Sequence, residues 1–174
     1  QAIEVHCLDG RTNARAFDRL RILIDDARDA IVVHSPYLTF PVCGWLRNAA
    51  RRGVHVTIIS SAQNNRGFLR HYITWESRRS GFDLRFYPGM THVKAMLVDG
   101  ASLVLGSTNF DSRSLSLNEE VGIGVRDASI PNQLKDAFEN DLRRSKELSL
   151  VQWRKRRWWS CAFDWFAYQV HDQL

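Results

Sequence analysis

Cysteine is scarce in this chain. Cys7, Cys43 and Cys161 are odd in number, widely spaced and in no metal-ligand pattern, which excludes a disulfide framework and a zinc site. The expected compartment is reducing. No run of uncharged residues reaches the roughly 18 that would span a bilayer. There is no signal-like apolar stretch and no opening methionine before Gln1, so a piece of a longer or processed protein is expected. Short internal repeats and low-complexity tracts are also missing. What is present, 44% hydrophobic and 25% charged residues over 174 positions, is enough for one soluble domain with a real core.

Positive charge is present but unevenly placed. The net charge is +5, yet residues 143–157 hold seven Lys/Arg against one Glu, so the rest of the chain is slightly acidic. The basicity belongs to one C-terminal segment.

Along the chain, a short strand over Ala2–Cys7 precedes a helix over Asn13–Asp29, with Ala16, Leu20, Leu23, Ile24 and Ala27 at helical spacing. Ala30–His34 reads as a strand and Pro41–Arg52 as a helix closed by Gly53. Strands over Val54–Ser60 and Phe82–Tyr87 bracket a helix over Phe68–Arg79. Asn118–Val125 is a further strand and Pro131–Lys146 a further helix. Alternating strands and helices predict an α/β fold, and an antiparallel hairpin near residue 100 makes the sheet mixed.

That hairpin carries the chemistry. From Thr91 to Val98 the residues alternate as in a half-buried strand, with His92 and Lys94 on one face. Asp99-Gly100 is a two-residue turn signal, and Ala101–Leu105 returns into Gly106-Ser107-Thr108-Asn109. A neutral imidazole at His92 can attack phosphorus and form a phosphohistidine. Lys94 can sit against phosphate oxygens as a point charge, and Ser107 and Asn109 offer neutral donors where charge develops. Such a site needs no metal or cofactor. Glu120, from another strand, can accept the histidine's Nδ1 proton. Parity places Asp99 on the opposite face from His92, which predicts a structural task. A lone strand histidine is usually a packed or solvated residue. The H-x-K-x-x-x-x-D spacing alone arises by chance in on the order of one chain in a hundred of this length. Adding G-S-x-N at the end of the next strand makes coincidence far rarer.

His92-x-Lys94-x4-Asp99 followed by Gly106-Ser107-x-Asn109 resembles the HKD signature of the phospholipase D superfamily. The run GSTNFDSRSLSLNEE, with Pro36-Tyr37, Ala49–Val54, Leu142–Ser145 and Trp153, resembles the second half of bacterial cardiolipin synthases, over roughly residues 10 to 160. The resemblance implies an α/β/α sandwich, a mainly β mixed sheet flanked by helices on both faces. It implies a phosphohistidine route in which His92, Lys94, Asn109 and Glu120 act as argued above, and it adds Asp99 as the motif's third member. Family sites contain two such motifs and this chain has one, because His6, His34, His55, His71 and His171 lack the x-Lys spacing. A second HKD half is expected, from the same parent chain or from a homodimer mate. Whether His92 is the nucleophile or the general acid stays open.

Two units are expected: residues 1–150 as the phospholipase D-like domain, and 151–174 as a basic, aromatic C-terminal helix. Trp153, Arg154, Lys155, Arg156, Arg157, Trp158 and Trp159 interleave cations with aromatics, which suits contact with anionic lipid at the membrane surface. A helix packed on its own or a neighbouring domain is the alternative. The reading that follows is a cardiolipin synthase-like phosphatidyltransferase on an anionic phospholipid such as phosphatidylglycerol, at the cytoplasmic side of or peripheral to the cell membrane. Its competitors are a single-motif homodimeric phosphodiesterase acting on nucleic acid and an inactive half lacking its partner.

Overall fold

A computed structural model describes residues 2–11, 13–116, 118–126, 132–148 and 162. Apart from Ala162, the expected C-terminal unit, with the lipid-contact candidates Trp153, Arg154, Lys155, Arg156, Arg157, Trp158 and Trp159, lies outside the described residues.

Strand β1 (Ala2–Asp9) leads into helix α1 (Asn13–Asp25), whose Phe17, Leu20 and Ile24 are buried along one stripe. This helix stops short of the expected Asp29. The backbone N–H groups of Arg28, Asp29 and Ala30 donate to the Asp99 carboxylate at 2.9–3.0 Å instead of to helix carbonyls. Strand β2 (Ala30–His34) then puts Ile31 and Val33 into the main core, while Val32 and His34 face the other way.

Helices α2 (Val42–Arg51) and α3 (Gly67–Ser80) are the crossovers that connect β2 to β3 (His55–Ser61) and β3 to β4 (Asp83–Tyr87), and these three strands pair in parallel. The two helices are tied by a buried ion pair. Arg47 Nε and Nη2 each reach a Glu76 carboxylate oxygen at 2.8 Å, and Glu76 is fully buried.

The expected strand from Thr91 begins only at Ala95. Residues 91–93 turn their backbone groups away from a ladder: Thr91 exchanges bonds with the distant Ser61 hydroxyl, and Val93 N–H reaches Thr91 Oγ1. Strand β5 (Ala95–Val98) pairs antiparallel with both β2 and β6 (Ser102–Gly106). At the turn between them Asp99 and Gly100 take φ of 50° and 63°, which glycine adopts freely and aspartate tolerates. Ala101 N–H closes the turn on Val98 O, and the ladder resumes one residue later, at Val98–Ser102.

A single helical turn, α4 (Ser112–Ser116), precedes β7 (Glu119–Arg126), which lies between β6 and β1. Helix α5 (Asn132–Arg144) and the two-residue β8 (Lys146–Glu147) complete the described elements. The result is a mixed eight-stranded sheet in the order β1-β7-β6-β5-β2-β3-β4-β8. Helices α1, α2 and α3 cover one face, over Ile31, Val33, Ile58 and Met96. On the other face α5 contributes Phe138 to a smaller cluster with Ile59, Ala95 and Leu103. Helices therefore flank the sheet on both faces, as the sequence predicts.

Candidate active site

The ends of four neighbouring strands converge. β2 runs out at His34, β5 starts at Ala95, β6 ends at Gly106 and β7 starts at Glu119. Because β5 is antiparallel to both its neighbours, all four termini lie at one end of the sheet. Two loops close over this end. Phe110 N–H donates to Tyr37 O, and Thr39 N–H donates to Phe110 O, so the segment after β2 is stitched to the segment after β6.

His92 is exposed there, with its ring edge-on to Tyr37 and centroids 6.1 Å apart. Lys94 is buried. Its Nζ donates to His92 O at 3.0 Å and lies 5.8 Å from the Tyr37 ring centre. Burial pushes its ammonium below the usual lysine range, and the Glu120 and Asp111 carboxylates pull it back up. A buried cation in the field of two carboxylates thus shares the Tyr37 ring with an exposed imidazole. Tyr37 takes a second cation, Arg66, at 5.3 Å from its ring centre, and its hydroxyl bonds Asn65 at 2.6 Å.

The loop after β6 begins with a constraint. A Cβ on Gly106 would lie 2.2 Å from Val121 O and 2.9 Å from Gly122 Cα, so only glycine lets β6 and β7 approach this closely. Ser107 then grips β7 with both its groups, its N–H to Val121 O and its Oγ from Val121 N–H at 3.1 Å. Thr108 Oγ1 and Asn109 Oδ1 are buried without a hydrogen-bond partner among the described residues. Glu120 Oε1 accepts from Ser114 Oγ and Asn118 Nδ2. Asp111 caps α4 through Ser114 N–H, and the buried Asn13 amide holds Ser114 O and Asn118 O from across the core.

The structure thus gathers His92, Lys94, Ser107, Asn109 and Glu120 at one end of the sheet. Asp99 sits at the other end of β5, bound to the 28–30 backbone. Burial alone would raise its carboxyl, but the three N–H donors and the nearby Arg28 cation outweigh that and hold it below the usual aspartate range. Sequence reasoning passed over Tyr37, Asp111 and His34 as site residues. For His34 a signal existed, since alternation along 30–34 puts it opposite Ile31 and Val33. Nothing in the local pattern announced that an aromatic ring would bridge His92 and Lys94.

The family described as cardiolipin synthase, phospholipase D-like domain matches residues 20–142. The chain is 30% identical over 150 residues to the minor cardiolipin synthase ClsB of Bacillus subtilis, covering 83% of this chain and 38% of that protein. It is 32% identical over 143 residues to cardiolipin synthase A of Pectobacterium carotovorum, covering 76% of this chain and 29% of that one. The chain therefore spans less than two fifths of the length of these relatives. Among solved structures, it resembles Nuc of Salmonella typhimurium, a phospholipase D family member, with a TM-score of 0.74 at 20% identity, covering 84% of this chain and 97% of that one. NucT of Helicobacter pylori gives a TM-score of 0.76 at 18% identity, covering 84% and 99%.

Proposed function

Because the chain belongs to the cardiolipin synthase, phospholipase D-like domain family, we propose that it supplies one HKD half of a phosphatidyltransferase that moves a phosphatidyl group from an anionic phospholipid to an alcohol. The observation that carries this reading is Lys94, a buried cation in the fields of Glu120 and Asp111 whose Nζ donates to the backbone carbonyl of His92. In the proposed reaction one histidine attacks phosphorus through nitrogen, and the bond to the departing alkoxide breaks as a second histidine delivers its proton. The acceptor hydroxyl then attacks the phosphohistidine as the second histidine takes up its proton, the P–N bond breaks, and its electrons return to the first imidazole. Lys94 and the Asn109 amide stabilise charge on the phosphoryl oxygens. Asp99 serves from a distance by fixing the hairpin. The second histidine comes from another HKD half, in the parent chain or in a second copy.

The test is phosphatidylglycerol consumption by the full-length protein containing this chain. His92→Ala is expected to abolish it, and Asn109→Ala to lower the rate by roughly 10²–10³, the usual cost of one oxyanion donor. Unchanged turnover in His92→Ala would overturn the reading. Preference for single-stranded DNA over vesicles, with steep salt dependence, would favour the phosphodiesterase alternative.

A further inference from the structure

Beside the HKD residues, under α5, lies a cavity of ≈ 490 Å³ with His92 and Lys94 at one side. Its walls are apolar, formed by Val93, Ala95, Leu103, Leu105 and Phe138. One polar pair interrupts them. His34, only 2% exposed, projects from the last position of β2, and its Nδ1 lies 3.3 Å from Oδ2 of Asp141 on α5. The carboxylate selects the tautomer with its proton on Nδ1, which leaves Nε2 as a lone-pair acceptor. Nε2 is buried and has no partner among the described residues. A buried acceptor without a donor costs free energy comparable to a lost hydrogen bond, unless a ligand supplies one.

The chemistry of a fitting ligand follows. The pair carries no net positive charge, so it does not suit a phosphate. The cation for phosphate, Lys94, stands separately on the cavity wall. A lone acceptor among apolar walls fits a neutral hydroxyl on a short carbon skeleton, and the volume is in the range of small-ligand pockets. Resting on the phosphatidyltransferase reading above, we propose that this cavity is the acceptor-alcohol subsite, in which His34 Nε2 accepts the hydrogen bond of a glycerol-type hydroxyl and holds it next to His92. Asp141 is a positioning residue, since it acts through the His34 tautomer. The subsite thereby favours transfer to an alcohol over hydrolysis by water.

The experiment measures, in the full-length protein, the ratio of transfer to hydrolysis and the KM for glycerol as acceptor. His34→Phe, which removes the acceptor, and Val93→Trp, which fills the cavity from an exposed wall position, are each expected to lower the ratio about tenfold or more and to raise that KM, because a pocket built around one hydroxyl contact loses discrimination without it. His34→Gln, which keeps an acceptor oxygen, should recover part of the ratio, an effect a purely structural histidine does not predict. An unchanged ratio and KM in folded Val93→Trp overturns the subsite while leaving the phosphatidyltransferase reading intact. If the wild-type protein consumes no phospholipid, that reading fails and the subsite is judged by binding. A glycerol-dependent shift of the His34 Nε2 resonance supports it, and no shift overturns it.

Discussion

Asp99 shows how one carboxylate can belong to a site without touching it. It takes three backbone N–H groups from residues 28–30, and the turn it opens sets the hairpin that ends in His92 on one side and Gly106 on the other. Asp99→Ala is expected to cost about 1–2 kcal/mol, toward the low end of the range because two of the three bonds lie at the surface. The sign of its pH dependence follows from the lowered carboxyl. Stability from this group is complete above the ordinary aspartate value and is lost as pH falls through the folded one. Urea denaturation of wild type and Asp99→Ala should therefore diverge at neutral pH and converge in acid. Parity in the sequence placed Asp99 off the His92 face. It could not name the 28–30 backbone as the partner, because that contact joins segments some seventy positions apart.

Whole elements were more legible than their ends. Period-3.6 and period-2 patterns located α1, α2, α3 and β2–β4, since each buries one regular stripe. The errors fall where a tertiary bond replaces a local one: α1 does not run on to Asp29 because Asp99 takes the amides of residues 28–30, and β5 starts late because Ser61 and Thr91 bond each other. The single turn α4 and the two-residue β8 are too short to carry a period. At the β6–β7 junction the close approach at Gly106 makes a sharp prediction. Gly106→Ala must push back the Val121 carbonyl, and a loss of about 2–4 kcal/mol is expected, read as a lowered Tm. Loss of phospholipid turnover should accompany it, because Ser107 and Asn109 follow directly.

At the scale of the molecule, the single HKD copy is the reason a second half is proposed, and the concentration of positive charge in residues 143–157 is the reason a lipid surface is proposed. Among the described residues no helix is long and apolar enough to cross a membrane. The basic-aromatic segment Trp153–Trp159 is proposed instead to rest on anionic headgroups. Truncation after Lys146 should abolish co-sedimentation with phosphatidylglycerol vesicles at low salt, and undiminished binding would refute that role.

The β1–β7 ladder has a consequence for how the chain is made. Leu8 pairs with Glu120 and Ala2 with Arg126, so β1 leaves the ribosome more than a hundred residues ahead of its one strand partner among the described residues. Closing so long a span is slow, and N-terminal segments emerge first during synthesis. Until β7 appears, β1 is a nascent strand with Ile3 and Val5 uncovered, side chains that stay largely exposed even in the finished fold. A stalled chain ending before Glu119 would already hold the His92–Lys94 hairpin, yet it would present chaperones with an open, apolar edge.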